Sequence, residues 1–140
     1  MKQYTRVLAR VNLDAVEYNI EMMKKNIHKN TQMMAVIKMD GYGHGAVQIA
    51  KLLEPMDYIW GYAVATLDEA ILIKDACLKK PVLVLGCIFP DQWDVMIRNE
   101  IRMTVYSYVM AKKKNHTLDE KTPEPAACCH HKTTPRSEEE

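Results

Sequence analysis

Ala35-Val36-Ile37-Lys38-Met39-Asp40-Gly41-Tyr42-Gly43-His44-Gly45 sets one lysine between an apolar run and a glycine-rich loop. Met34 to Ile37 read as a strand buried on both faces, the pattern of parallel sheets. Lys38 closes that strand at its carboxyl end, where α/β folds place their ligands. Gly41, Gly43 and Gly45 permit positive φ and let backbone N–H groups approach an anion, and the apolar pattern resuming at Ala46 starts a helix whose positive end faces the same point. A lysine at a strand end is by itself an ordinary solvated charge. The whole string is more specific, because it presents an amine beside a loop suited to a phosphate-bearing ligand.

On either side of this segment, strand and helix periods alternate. Val7-Leu8-Ala9-Arg10-Val11-Asn12-Leu13 reads as a strand, followed by a helix capped by Asp14 with Val16, Ile20, Met23 and Ile27 at helical spacing. Thr31 to Lys38 is the next strand, and Ala46 to Leu53 a helix stopped near Pro55. Tyr58 to Ala65 follows as a strand, with Thr66 capping a helix from Leu67 to Leu78. Pro81-Val82-Leu83-Val84-Leu85-Gly86 is a further strand, and a helix from Asp91 to about Asn99 leads into a last one near Met103 to Tyr106. This predicts an α/β fold of parallel strands with right-handed crossovers, either a doubly wound sheet or a (β/α)₈ barrel. Periodicity alone does not choose between them.

Composition narrows the class. A chain of 140 residues with 48% hydrophobic and 26% charged side chains is that of one ordinary globular domain. A net charge of +1 gives no electrostatic reason for a nucleic-acid or membrane partner. No apolar stretch is long enough to span a bilayer, and Met1-Lys2-Gln3-Tyr4-Thr5-Arg6 lacks the apolar core of a signal peptide, so a cytoplasmic protein is expected. The cysteines at 77, 87, 128 and 129 form no CxxC pair and read as reduced thiols, with no metal site expected. Residues 1–111 carry the periodic pattern. Residues 112–140 hold one large aliphatic side chain, Leu118, with Pro123, Pro125, Pro135 and a terminal acidic run, and read as a low-complexity, disordered polar tail. Its Cys128-Cys129-His130-His131 string is a poor metal site, since adjacent side chains rarely converge on one ion.

The string around Lys38 resembles the pyridoxal-phosphate attachment motif of the alanine racemase family, whose consensus runs Ala-Val-Val-Lys-Ala-Asp-Ala-Tyr-Gly-His-Gly. Met39 and Gly41 stand where that motif has alanines. Arg10 to Asn19 is similar to the family's opening segment, Tyr62-Ala63-Val64-Ala65-Thr66-Leu67-Asp68-Glu69-Ala70 to its third unit, and Pro81 to Gly86 to its fourth. Thr104-Val105-Tyr106-Ser107 looks like its fifth strand. The resemblance runs over about residues 4 to 111 and implies a partial (β/α)₈ TIM-type barrel, about the first four to five βα units.

It also implies a chemistry, the pyridoxal 5'-phosphate-dependent interconversion of L-alanine and D-alanine that supplies D-alanine for cell walls. In this reading Lys38 is the residue to which the cofactor attaches and the base on one face of the substrate. A lysine serves as a base only while neutral. Tyr42 is carried over as a hydroxyl donor to the cofactor phosphate, and Leu85 lines the ring pocket. His44 is taken as a structural hydrogen-bonder. The family's opposing base is a tyrosine from the C-terminal domain of a partner subunit, the full-length family being homodimeric. The tyrosines here, at 4, 18, 42, 58, 62, 106 and 108, are not assigned that duty. Two alternatives stand beside this reading, a truncated inactive fragment and a non-catalytic pyridoxal-phosphate-binding module. Specificity among amino-acid substrates is not legible.

Overall fold

The computed structural model describes residues 7–112. Four parallel strands, β1 (Met33–Val36), β2 (Ile59–Val64), β3 (Val82–Val84) and β4 (Arg102–Met103), lie side by side in chain order. The connections between them carry α2 (Lys38–Gly43), α3 (Ala46–Leu53), α4 (Leu67–Asp75), a 3₁₀ turn (Pro90–Gln92) and α5 (Trp93–Arg98), while α1 (Leu13–Lys25) precedes β1 and rests on α3. A doubly wound sheet reverses its strand order at a switch point, whereas here every crossover steps the same way. With right-handed crossovers that progression puts all helices on one face, as in a barrel wall. The sheet is a partial (β/α)₈ barrel, and strand order supplies what periodicity could not.

Residues alternate across the strands. Ala35, Tyr62 and Val82 share a row facing the helices, as do Val64 and Val84 one level up. Against them pack Ala46, Ala50 and Leu53 of α3, Leu67, Ala70 and Ile73 of α4, and Trp93 and Met96 of α5. The alanines let α3 and α4 approach the sheet closely, and Ala50 and Ala70 are wholly buried. Gly61 instead lets the chain entering β3 approach β2, because a Cβ there would lie 2.4 Å from the Pro81 carbonyl oxygen. Tyr62 is anchored through its hydroxyl, which lies 2.8 Å from Ala50 O and 2.7 Å from Glu54 Oε2. Burial and the Glu54 carboxylate hold that phenol well above its usual range.

The other face is open. Val36, Ala63, Leu83 and Arg102 are register partners on it, and Val36 is 44% exposed. The Arg102 guanidinium lies 4.7 Å over the Trp60 ring, where Trp60 sits at a register break between β1 and β2. The expectation that β1 is buried on both faces therefore fails on one, because no described element covers it.

Four further expectations are corrected. Val7–Leu13 is not a strand: residues 7–12 pair with nothing described, and Val7 and Leu8 are exposed. The helix after it is capped not by Asp14 but by Asn12, whose Oδ1 accepts from the Ala15 N–H at 3.1 Å. Asp14 sits instead in the first turn, where a negative charge suits the helix dipole. Met23 points outward, while Ile20 packs against the core. Cys87 is a free thiol as read, but Cys77 is disulfide-bonded. The expectations for residues 113–140 lie outside the described residues. No helix among those described is long and apolar enough to cross a membrane.

Candidate cofactor site

β1 ends at Val36, and the ladder continues one bond further, from the Ile37 N–H to Ala63 O at 2.9 Å. Ile37 is buried among the helices, so Lys38, the next residue, emerges at the carboxyl end of the strand and is half-buried. Beyond Lys38 the chain coils with the opposite hand. Met39, Asp40, Gly41 and Tyr42 have φ of 53°, 52°, 62° and 56° with ψ between 37° and 49°. Gly43 and Gly45 continue at φ of 82° and 88°. Left-handed geometry costs about 1–2 kcal/mol for each residue bearing a Cβ, so Met39, Asp40 and Tyr42 are held there by their surroundings.

Three side chains do the holding. Asp40 Oδ1 accepts from the Ala46 N–H at 2.8 Å, capping α3 from six residues upstream, since its own N-cap is a glycine. The helix start expected to face a free anion thus already has a carboxylate on its first amide. His44 Nδ1 lies 3.1 Å from Gly41 O and 3.2 Å from Tyr42 O. Both are acceptors, so Nδ1 carries the proton, and His44 has the structural role expected of it. Glu69 reaches from α4: its Oε1 accepts from the Met39 N–H at 2.7 Å, and its Oε2 from the Ala65 N–H at 2.7 Å.

The turn brings Lys38 and Tyr42 together, with the lysine Nζ 5.9 Å from the centre of the exposed tyrosine ring. Leu85 occupies the same end of the sheet two strands away. Its N–H bonds to Val64 O at 2.8 Å, the Tyr106 hydroxyl donates to its carbonyl, and it is 39% exposed. Gly86 comes next, packed so closely that a Cβ would lie 2.3 Å from Ala65 O. The carboxyl ends of β1 and β3 therefore present a primary amine, a phenol and a partly exposed apolar side chain. Such a set can bond an aldehyde through nitrogen, donate to an anionic group and cover a flat ring. The roles of Glu69, Asp40 and Tyr106 were not anticipated. Thr66-Leu67-Asp68-Glu69 does spell a capping box, but no local pattern announces a reach of thirty residues back to Met39.

Comparison with known proteins points one way. The profile of the alanine racemase N-terminal domain matches residues 11–131. Alanine racemase 2 of Oceanobacillus iheyensis is 43% identical to this chain over 74% of the chain and 26% of its own length. Among solved structures, the alanine racemase of Clostridium difficile 630 superposes with a TM-score of 0.76 at 36% identity, over 79% of this chain and 29% of that one. A histidine racemase from Leuconostoc mesenteroides gives 0.67 at 25% identity, over 76% and 28%. The chain spans less than a third of the length of these relatives.

Proposed function

This chain belongs to the alanine racemase family, corresponding to the N-terminal part of its members, and on that premise we propose that it holds pyridoxal 5'-phosphate at Lys38 and forms one part of a site interconverting L-alanine and D-alanine. The observation that carries this reading is the left-handed turn after β1, which puts the Lys38 amine and the Tyr42 ring on one side at the carboxyl end of the sheet. The donor set fits the cofactor: an amine for its aldehyde, a phenol hydroxyl for its phosphate, and Leu85 for its ring. When bound, the cofactor supplies an electron sink for the carbon that loses its α-proton.

The chain's own residues divide the remaining work. Lys38 Nζ would hold the cofactor at its aldehyde and, once free and neutral, would take or return the proton on its own face of the substrate. Tyr42 orients by donating from its hydroxyl. Leu85 excludes water from one side of the ring. Tyr62 is not available as the opposing base, because it is buried among the helices with its hydroxyl engaged by Ala50 and Glu54. The family resemblance implies that the opposing base is a tyrosine from the C-terminal domain of a partner subunit. The open inner face of the sheet supports the same division, and we expect negligible racemisation of alanine by the 140-residue chain alone.

The test is to incubate the chain with pyridoxal phosphate, reduce with borohydride and map the modified peptide. The expected result is a pyridoxyl group on Lys38 that is lost in Lys38→Ala while the melting temperature holds. Equal labelling across the surface lysines would end the proposal.

A further inference from the structure

Glu69 is half-buried at the third position of α4, where a glutamate ordinarily completes a capping box. The box is present, but it is not where this carboxylate bonds best. Its bond from the Thr66 N–H is 3.4 Å long, while those from Ala65 and Met39 are 2.7 Å each. The two short bonds use different oxygens and join different loops: Ala65 directly follows β2, and Met39 is the first left-handed residue after Lys38. A cap needs only the oxygen that serves Thr66 and Ala65. The other has no role in α4 and serves the turn after β1.

We propose that Glu69 is a positioning residue for Lys38, clamping the strained turn to the end of β2 and so fixing the backbone from which the lysine amine projects. The inference rests on the function proposed above for Lys38. Its physical basis is that Met39, Asp40 and Tyr42 sit in a conformation that L-residues avoid. The Met39 amide opens that turn, and Glu69 provides its acceptor. A charge-assisted bond to a backbone amide is about twice as strong as a neutral one.

Glu69→Gln breaks the clamp at one of its two ends. Both carboxylate oxygens face N–H donors, so glutamine, with one acceptor and one NH₂, must turn a donor toward one of the two loops. Glu69→Asp keeps the charge but withdraws it by one methylene, so it can serve only one loop. Thr66→Val is the control: it removes the other half of the capping box, in which Thr66 Oγ1 accepts from the Glu69 N–H at 3.3 Å, and leaves the carboxylate intact.

Two readouts are taken on the full chain, amide hydrogen exchange over residues 39–45 and borohydride-fixed pyridoxyl on Lys38. In Glu69→Gln and Glu69→Asp, exchange over 39–45 is expected to rise about tenfold and labelling at Lys38 to fall about tenfold, the scale of one lost charge-assisted bond. Thr66→Val is expected to lower the melting temperature comparably while changing neither readout. Unchanged exchange over 39–45 in both Glu69 variants overturns the proposal, and so does a Thr66→Val effect matching theirs. If the unsubstituted chain takes no label at Lys38 but the exchange contrast holds, the clamp stands and the function proposed for Lys38 falls.

Discussion

On the helix side of the sheet Tyr62, Val64, Val82 and Val84 are wholly buried, whereas on the inner side Val36 and Leu85 remain 44% and 39% exposed. The same strands supply both sets of residues, so strand propensity does not explain the difference. It arises from what lies opposite. Three helices cover one face, and nothing described covers the other. Stability therefore resides on the helix side, while the inner side, from which Lys38 projects at the strand end, is the side on which a ligand or further chain can be met.

This contrast can be broken by paired substitutions. Ile73→Ala, on the covered side and wholly buried, is expected to cost about 3 kcal/mol of stability in denaturant unfolding, within the range for a large-to-small core change. Tyr62→Phe is expected to cost about 1 kcal/mol, one hydrogen bond at a buried site. It also has a pH signature. The folded phenol is held above its ordinary value of 10.0, so above that pH the unfolded chain gives up a proton that the folded chain keeps. Stability contributed by Tyr62 is thus intact below the unfolded value and falls as pH rises beyond it. Stability curves of the Phe variant should descend less steeply on the alkaline side, and parallel curves would remove the assigned cause. Val36→Ser, on the open side, should change stability by no more than about 0.5 kcal/mol. A loss as large as that of Ile73→Ala would mean the inner face is covered in solution, and sedimentation would show by what.

Sequence carried the local elements well, because each rests on short-range physics. Ala46–Leu53 stops before Pro55 as expected, and Thr66 caps α4 as expected, accepting from the Glu69 N–H. Strand order was not legible, since two architectures share one periodicity and only the pairing of β1 through β4 separates them. The stretch at Val7–Leu13 shows the limit of pattern: alternation makes a strand possible, but a strand needs a partner edge, and residues 7–12 have none among the described residues. At the site, the glycines announced positive φ at 41, 43 and 45. Nothing announced it at Met39, Asp40 and Tyr42, which occupy that region with the distant Glu69 on the Met39 amide and the nearby Asp40 and His44 side chains bonded within the turn and to the start of α3. The placement of Lys38 was legible, and the machinery that maintains it was not.

The consecutive order of the strands bears on how the chain is made. Each described strand after β1 pairs with the one before it in sequence, so as the polypeptide lengthens each of these strands meets an edge already in place. Contacts that close over short separations form fast. Those described for the Lys38 turn lie between Ile37 and Glu69. The geometry around the lysine is therefore encoded in a stretch that ends before β3, so the amine's placement asks nothing of the later strands.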